Sequence, residues 1–145
     1  MTSDRHPTER TRVRRLPARG AYDRDTIYRI LDEALICHVG FVVDGSPYVI
    51  PMVAARAGDS LLLHGSTASR LTRHLAGGAE VCVTVTHVDG LIVSRSVFDS
   101  SMNYRSVVIL GSTQPITEQD AKLEAMRAIT EHLLPGRWDE ARHPN

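Results

Sequence analysis

The sequence predicts a mainly β protein with flanking helices, folded as a small antiparallel barrel of six strands. Two observations support this prediction. Short apolar runs rich in β-branched residues recur along the chain, and tight-turn pairs such as Asp-Gly separate them. Few segments show the three- and four-residue spacing of a helix. A barrel would close the edges that six antiparallel strands otherwise expose.

The composition is that of one globular domain. The chain has 145 residues, of which 42% are hydrophobic and 23% charged. Its 17 basic and 17 acidic residues cancel, which argues against nucleic acid as the main partner, and no apolar run approaches a membrane span. Cys37 and Cys82 are expected to be buried free thiols in a reducing cytoplasm, with a disulfide between them left open. The histidines show no zinc-type spacing, so no metal site is expected.

Residues 1–20 predict a flexible basic arm, because they are polar, rich in arginine and interrupted by proline. A twin-arginine export signal is rejected because no apolar segment follows; a nucleic-acid-binding arm stays open. The folded domain is expected over residues 21–145. Its first helix is predicted to begin with Asp23 or Asp25 as a cap and to run to about Leu35.

The remaining elements follow from turn residues and periodicity. Strands are predicted over residues 36–43, 48–55, 60–64, 80–88, 91–97 and 105–116. The Asp-Gly pairs at 44–45 and 89–90 are expected to form hairpin turns. Thr117 followed by Asp120 resembles a capping box, and predicts a last helix that runs to about Leu134.

The most informative stretch is residues 61–76, where a strand changes into a helix through a glycine turn. Ser66, Ser69 and Arg70 are placed around the first turn of that helix. The first amides of a helix lack internal partners and the dipole is positive there. An anion, most naturally a phosphate, could therefore bind with Arg70 as a two-pronged donor. The alternative is that Ser66 is only an N-cap and Arg70 only a solvated residue.

Several short motifs occur in a specific order and spacing between residues 51 and 111. They are Pro51-Met52-Val53-Ala54-Ala55-Arg56, Leu63-His64-Gly65-Ser66, Ser69-Arg70, Ser94-Arg95-Ser96 and Asn103-Tyr104-Arg105-Ser106, leading to Gly111. With them, the chain from about Arg12 onward resembles the pyridoxamine 5′-phosphate oxidase-like flavoproteins, which are split β-barrels that bind FMN. It looks most like their flavin-nucleotide-binding or nitroimidazole-resistance-like branch.

The resemblance implies an FMN site. Ser69 and Arg70, assisted by Ser66, would hold the phosphate, and the backbone of residues 50–53 would lie along the flavin ring. The complete set of implied cofactor contacts is Ile50, Pro51, Met52, Val53, His64, Gly65, Ser66, Ser69, Arg70, Asn103, Arg105 and Ser106. Arg56 and Tyr104 are the expected substrate contacts. In the family, the strand that corresponds to the one beginning near Asn103 contacts the flavin that is bound mainly by the other subunit. The resemblance therefore implies a homodimer.

Two departures argue against oxidation of pyridoxamine phosphate itself. The oxidases usually follow Ser-Arg with a lysine, where this chain has Leu71, and Arg73 is expected on another side of the helix. The oxidases also end in a segment that binds pyridoxine phosphate, and nothing after Pro135 matches it. Relatives in the nearer branch usually continue further, so this chain is expected to be a short member.

The sequence therefore predicts a dimeric, cytoplasmic FMN-binding oxidoreductase that acts on a small molecule at the dimer interface. No catalytic residue is assigned, because the flavin ring carries the redox step and the protein orients it. Two alternatives stay open: a flavin- or haem-binding module without turnover, and a deazaflavin-dependent reductase of the same fold. The substrate, the electron donor and the direction of the reaction are left open.

Overall fold

The computed structural model describes residues 7–142, which form one five-stranded antiparallel sheet flanked by helices. The elements are, in chain order, α1 (Arg24–Asp32), β1 (Ile36–Val43), β2 (Ser46–Ala57), β3 (Ser60–Leu63), α2 (Arg70–Ala76), β4 (Glu80–Ile92), β5 (Ser101–Ser112), α3 (Gln119–Leu133) and α4 (Arg137–Glu140). The strand order across the sheet is β3-β2-β1-β4-β5. The predicted class, mainly β with flanking helices, is confirmed.

The described chain has five strands where six were expected, and its sheet is not closed. The Asp-Gly pair at 89–90 is no hairpin turn, because β4 continues through it and remains paired with β5. The register shifts between Val88 and Gly90, which is the mark of a β-bulge. The chain reverses only across residues 93–100, so the strand expected over 91–97 does not form.

The two ladders of β1 differ in length, and this difference opens the sheet. β1 pairs with β2 along its whole length, but with β4 only at His38, Val39 and Gly40. Beyond Gly40 the β1–β2 hairpin therefore separates from the β4–β5 pair. The sheet is thus two hairpins joined through a short central ladder.

One face of the sheet packs with α1 and α2 to form the hydrophobic core. Its buried members are Ile30, Leu31, Ala34, Cys37, Val39, Phe41, Met52, Ala54, Leu71, Leu75, Val83, Val85 and Val107. Cys37 is a buried free thiol as predicted, but the predicted burial of Cys82 is wrong. Successive strand residues face opposite sides, and Val83 and Val85 take the core side of β4, which leaves Cys82 exposed on the other side. Both thiols are free, so the disulfide left open above does not form.

The helix ends agree only in part with expectation. Asp23 caps α1 by accepting a hydrogen bond of 2.8 Å from the Thr26 amide. The capping box predicted at Thr117 is wrong, because α3 begins after Glu118 and has no side-chain cap. Of the predicted N-terminal arm, residues 1–6 lie outside the described residues, and residues 7–20 are mostly exposed. No helix in the described range is long and apolar enough to span a membrane.

Candidate cofactor-binding site

A cavity of about 470 Å³ lies between the middle of β2 and the segment that joins β3 to α2. Its lining residues are Ile50, Pro51, Met52, Val53, His64, Gly65, Ser66, Ser69, Arg70, Leu71 and Thr72. Nine of these were predicted from the sequence as cofactor contacts, and the fold brings those nine around one space. The volume is within the range of about 300–1,000 Å³ that is usual for sites of small molecules.

The wall formed by β2 is apolar and has an open backbone edge. β1 covers one side of residues 50–53 through its ladder, in which Pro51 pairs with His38. β3 pairs only with residues 54–57, so within the described structure no strand covers the other side of residues 50–53. Pro51 fits this edge because proline lacks the amide that a central strand would need. A flat ligand lying along this edge would find free backbone groups beside an apolar surface.

The polar end of the cavity surrounds the start of α2. Ser69 is the N-cap: its Oγ accepts a hydrogen bond of 3.0 Å from the Thr72 amide and donates one of 2.8 Å to Thr72 Oγ1. Ser66 Oγ accepts a longer bond of 3.3 Å from the Ala68 amide. The capping role is therefore carried by Ser69, and the hydroxyl hydrogen of Ser66 stays available for a ligand.

Arg70 lies at this polar end with its side chain exposed. Among residues 7–142 it forms no ion pair. A guanidinium group without a carboxylate partner, next to a free hydroxyl and the first amides of a helix, is a suitable donor set for a phosphate. Leu71 also lines the cavity, but its side chain is apolar and buried in the core, so it cannot act as a second phosphate ligand.

The arginines at the two other predicted positions are already engaged. Arg56 lies outside the cavity and holds the Asp32 carboxylate with two hydrogen bonds of 2.7 Å. This pairing with Asp32 raises the pKa of Arg56. Arg105 binds Asp89 and Glu33, with its shortest bond, of 2.7 Å, to Glu33. These carboxylates raise the pKa of Arg105, so it stays charged at any physiological pH.

The residues predicted on β5 do not reach the cavity of their own chain. Two strands, β1 and β4, separate β5 from β2. Tyr104 and Ser106 are exposed and alternate with the buried Val107, so they lie on the sheet face opposite the core. Asn103 and Arg105 share the other face, where Asn103 is exposed and Arg105 bonds to Glu33 next to α1. A single chain therefore assembles only part of the predicted site.

Two features of the cavity were not predicted. Thr72 is a lining residue that also fixes the Ser69 hydroxyl. A Cβ atom at Gly65 would lie 2.9 Å from Thr72 Oγ1 and 3.2 Å from Met52 Cε, so the glycine permits a close approach between the turn and β2. The spacing of Ser69 and Thr72, three residues apart at a helix start, is the sequence signal that could have identified Thr72. No cluster of three or more potential metal ligands occurs within the described residues.

Comparison with known proteins places this geometry in context. The family model described as pyridoxamine 5′-phosphate oxidase matches residues 23–145. A search of curated proteins finds no match. Among solved structures, the FAD and heme binding protein from Mycobacterium smegmatis has 40% sequence identity and a TM-score of 0.79, over 84% of this chain and 59% of that one.

Two further solved structures are similar. The flavocytochrome Anf3 from Azotobacter vinelandii has 37% identity and a TM-score of 0.87, over 96% of this chain and 64% of that one. A protein from Bacteroides thetaiotaomicron VPI-5482, assigned to 5-nitroimidazole antibiotic resistance, has 28% identity and a TM-score of 0.64, over 76% of this chain and 66% of that one. The chain thus spans less than two thirds of the length of each of these structures.

Proposed function

The chain belongs to the pyridoxamine 5′-phosphate oxidase family, and on this premise we propose that it binds FMN in the cavity between β2 and α2 and acts as an oxidoreductase on a small molecule. The observation that carries the proposal is the donor set of the cavity. One end offers the unpaired Arg70 and the Ser66 hydroxyl, and the other offers the apolar, open edge of residues 50–53. A phosphate joined to a flat ring system matches both ends.

In the proposed site, some residues bind the phosphate and others orient the flavin ring. Arg70 and Ser66 hold the phosphate, while Ser69 keeps the start of α2 in place through Thr72. The backbone of residues 50–53 lies along the ring and hydrogen-bonds to its edge. A bound flavin supplies the redox chemistry itself. Pyridoxamine phosphate is not proposed as the substrate, because this chain has Leu71 where the oxidases usually have a lysine as a second phosphate ligand.

We also propose that the active form is a homodimer that pairs the sheet faces opposite the core. Large apolar side chains on that face are exposed: Val49 by 64%, Tyr104 by 59% and Val108 by 57%. An extended exposed apolar surface of this kind marks an interaction site. Tyr104 and Ser106 lie on this face of β5, and in a dimer these two residues would contact the cofactor or substrate of the partner.

The dimer is tested by the substitution Val108→Asp, which places a charge in the middle of the exposed face. Sedimentation velocity should give a dimer for the wild-type protein at micromolar concentration and a monomer for the variant. The matched control is Gln119→Asp, which adds the same charge at an exposed position of α3, outside the sheet, and should leave the dimer intact. A monomeric wild-type protein would refute the shared site.

A second candidate function is a cofactor-binding module without turnover. It is favoured by two similar structures, one an FAD and heme binding protein and the other a flavocytochrome. They also make FAD an alternative to FMN, and haem a candidate second ligand. Such a module would carry or sense cofactors, and it would need the same arginine for a flavin phosphate.

The two candidates are separated by spectroscopy of the purified protein. A visible spectrum is recorded before and after addition of FMN, FAD or a deazaflavin, followed by gel filtration. A retained flavin that a nicotinamide donor bleaches and a substrate reoxidises supports the oxidoreductase. A retained flavin that neither reagent changes supports the module. Failure to retain any of the three ligands refutes the flavin proposal.

The phosphate contact is tested by Arg70→Ala with Arg73→Ala as the matched control. Loss of a charge-assisted hydrogen bond costs about 1.5–3 kcal/mol, or roughly ten- to a hundredfold in FMN affinity. Arg73 is on the same short helix, exposed, and does not line the cavity. Fluorescence quenching of FMN should therefore show weak binding for Arg70→Ala only. Equal affinities for both variants and the wild-type protein would refute the assignment of Arg70.

A further inference from the structure

Residues 90–103, the outer part of the β4–β5 hairpin, form an arm that extends beyond the β-bulge at Asp89. We propose that this arm binds a second copy of the chain and that Arg105 is the positioning residue that sets its direction. The inference rests on the homodimer of the proposed function, and it extends that interface beyond the sheet face. It gives Arg105 a role different from the cofactor contact that the family resemblance implies.

The β-bulge keeps apolar side chains on one face of the hairpin. Val88 pairs with Tyr104 and Leu91 pairs with Met102, with Asp89 as the extra residue between the two pairs. Tyr104 and Met102 are two positions apart on β5, so both lie on the face opposite the core. Their partners Val88 and Leu91 therefore share that face although they are three positions apart, and all four side chains are exposed. The bulge thus continues the exposed apolar face of the proposed dimer into the arm.

The tip of the arm presents further apolar side chains on an ordered turn. Val93, Val97 and Phe98 are almost fully exposed. The amide of Ser100 donates a hydrogen bond of 3.3 Å to the carbonyl oxygen of Val97, and the amide of Ser94 donates one of 3.3 Å to Ser100 Oγ. Because these bonds already hold the turn, binding of a partner would need little further ordering. Clustered apolar side chains that are exposed in this way mark an interaction site.

The apolar surface of the arm fits a second copy of the chain as the partner. A stable interface buries about 800 Å² on each partner. The sheet face of the proposed dimer offers three large exposed side chains, Val49, Tyr104 and Val108. The arm adds five more: Leu91, Val93, Val97, Phe98 and Met102. Since the arm continues the same face, one partner can cover both, and the added side chains bring the interface closer to the area that a stable dimer needs.

Arg105 fixes the arm at its base. It lies opposite His87 in the ladder, next to the bulge. Its guanidinium donates three hydrogen bonds of 2.9–3.1 Å to the Asp89 carboxylate and one of 2.7 Å to the carboxylate of Glu33, the C-cap of α1. His87 Nε2 donates one of 2.9 Å to the carbonyl oxygen of Ile30 in the same helix. A bulge bends the strand that carries it, so holding the bulge against α1 sets the direction of the arm.

The same contacts make Arg105 unsuited to a cofactor phosphate. Two carboxylates, those of Asp89 and Glu33, already balance its single positive charge. Arg70, by contrast, lines the flavin cavity and forms no ion pair among residues 7–142. Arg105 would therefore affect a flavin site only through the arm and the dimer that the arm helps to form.

The test compares dimer dissociation constants, measured by sedimentation velocity over a series of protein concentrations. Phe98→Ser removes the side chain at the tip, and Arg105→Met removes the contacts at the base. Arg24→Met is the matched control, because Arg24 also links α1 to the sheet, through a bond of 2.9 Å to Asp59, but at the opposite edge from β5. We expect the dissociation constant to rise about tenfold or more in the first two variants and to stay at the wild-type value in Arg24→Met.

FMN binding separates a positioning role of Arg105 from a cofactor contact. At protein concentrations well above its dimer dissociation constant, Arg105→Met should bind FMN as tightly as the wild-type protein does. Weak FMN binding by the assembled variant dimer would show a cofactor contact and overturn the positioning role. If circular dichroism shows that Arg105→Met does not fold, Glu33→Gln keeps the bonds between Arg105 and Asp89, weakens the link to α1, and should also weaken the dimer.

The remaining outcomes distinguish this inference from the proposed function. An unchanged dissociation constant in Phe98→Ser overturns the arm, and an equal loss in Arg24→Met overturns the specific role of Arg105. A dimer that Val108→Asp disrupts but Phe98→Ser does not refutes this inference alone. A wild-type protein that is monomeric at every concentration refutes both the arm and the dimer, while FMN binding by that monomer would still support the flavin cavity.

Discussion

The substitution Gly65→Ala tests the close contact that shapes the flavin cavity. The new Cβ would lie 2.9 Å from Thr72 Oγ1 and 3.2 Å from Met52 Cε. Met52 can move its terminal methyl group at little cost, because that atom is the end of a flexible side chain. Thr72 cannot move so easily, because its Oγ1 accepts a hydrogen bond of 2.8 Å from Ser69.

The expected cost has two parts. Rotation of Thr72 away from the new methyl group would break the bond from Ser69, which contributes about 0.5–1.5 kcal/mol. Overpacking of a filled site typically costs about 1–3 kcal/mol in total, backbone shifts included. We therefore expect a loss of about 2 kcal/mol in the free energy of unfolding, or about 4–8 °C in Tm for a chain of this size. FMN affinity should fall as well, because the turn would move away from β2.

Thermal unfolding followed by circular dichroism measures the first effect, and FMN fluorescence the second. Gly90→Ala is the matched control, because a Cβ there meets nothing within 4 Å and its φ lies outside the left-handed region. The control should change Tm by less than a quarter of the Gly65→Ala effect. If Gly65→Ala unfolds at the wild-type temperature and binds FMN normally, the close packing of the turn against β2 does not hold.

Two further predictions concern single side chains. Burial raises the pKa of the Cys37 thiol to about 11. In the variant Cys82→Ser, this remaining thiol should therefore react with a disulfide reagent only as fast as the protein unfolds. Rapid labelling of the folded variant would contradict the burial of Cys37. The amides of Gly136 and Trp138 lower the pKa of Glu131 below its usual 4.5, so its contribution to stability is complete above about pH 4.5 and is lost as the pH falls through the folded-state pKa. The Tm difference between wild type and Glu131→Gln should therefore be constant near neutral pH and shrink in acid. A Tm difference that grows in acid would contradict a lowered pKa of Glu131 in the folded protein.

The sequence predicted local features well. The strand, glycine turn and helix at residues 61–76 are contiguous, so periodicity and turn residues were enough to place Ser66, Ser69 and Arg70 around one space, and the family resemblance added His64 and Gly65. The family resemblance stated from those motifs is confirmed by the match over residues 23–145. The FMN contacts themselves and the dimer stay predictions.

The errors arose where one local signal fits two structures. An Asp-Gly pair suits a hairpin turn and also a β-bulge, and only the long pairing partner in β5 decides for the bulge at 89–90. Cys82 is in an alternating strand, but the pattern does not say which of its two faces is covered. A capping box needs the helix to begin at the right residue, and α3 begins one position later than Thr117 would require.

The position of β5 is the strongest argument that a second subunit completes the proposed site. β2 and β5 are three strand spacings apart, or about 14 Å, and Tyr104 and Ser106 project from the face opposite the core. They cannot touch a ligand that lies along the edge of β2 in their own chain. A flavin in contact with these residues therefore belongs to a second subunit, and the exposed apolar side chains around them provide the surface that would bind that subunit. The affinity for FMN should then depend on protein concentration, falling as the dimer dissociates.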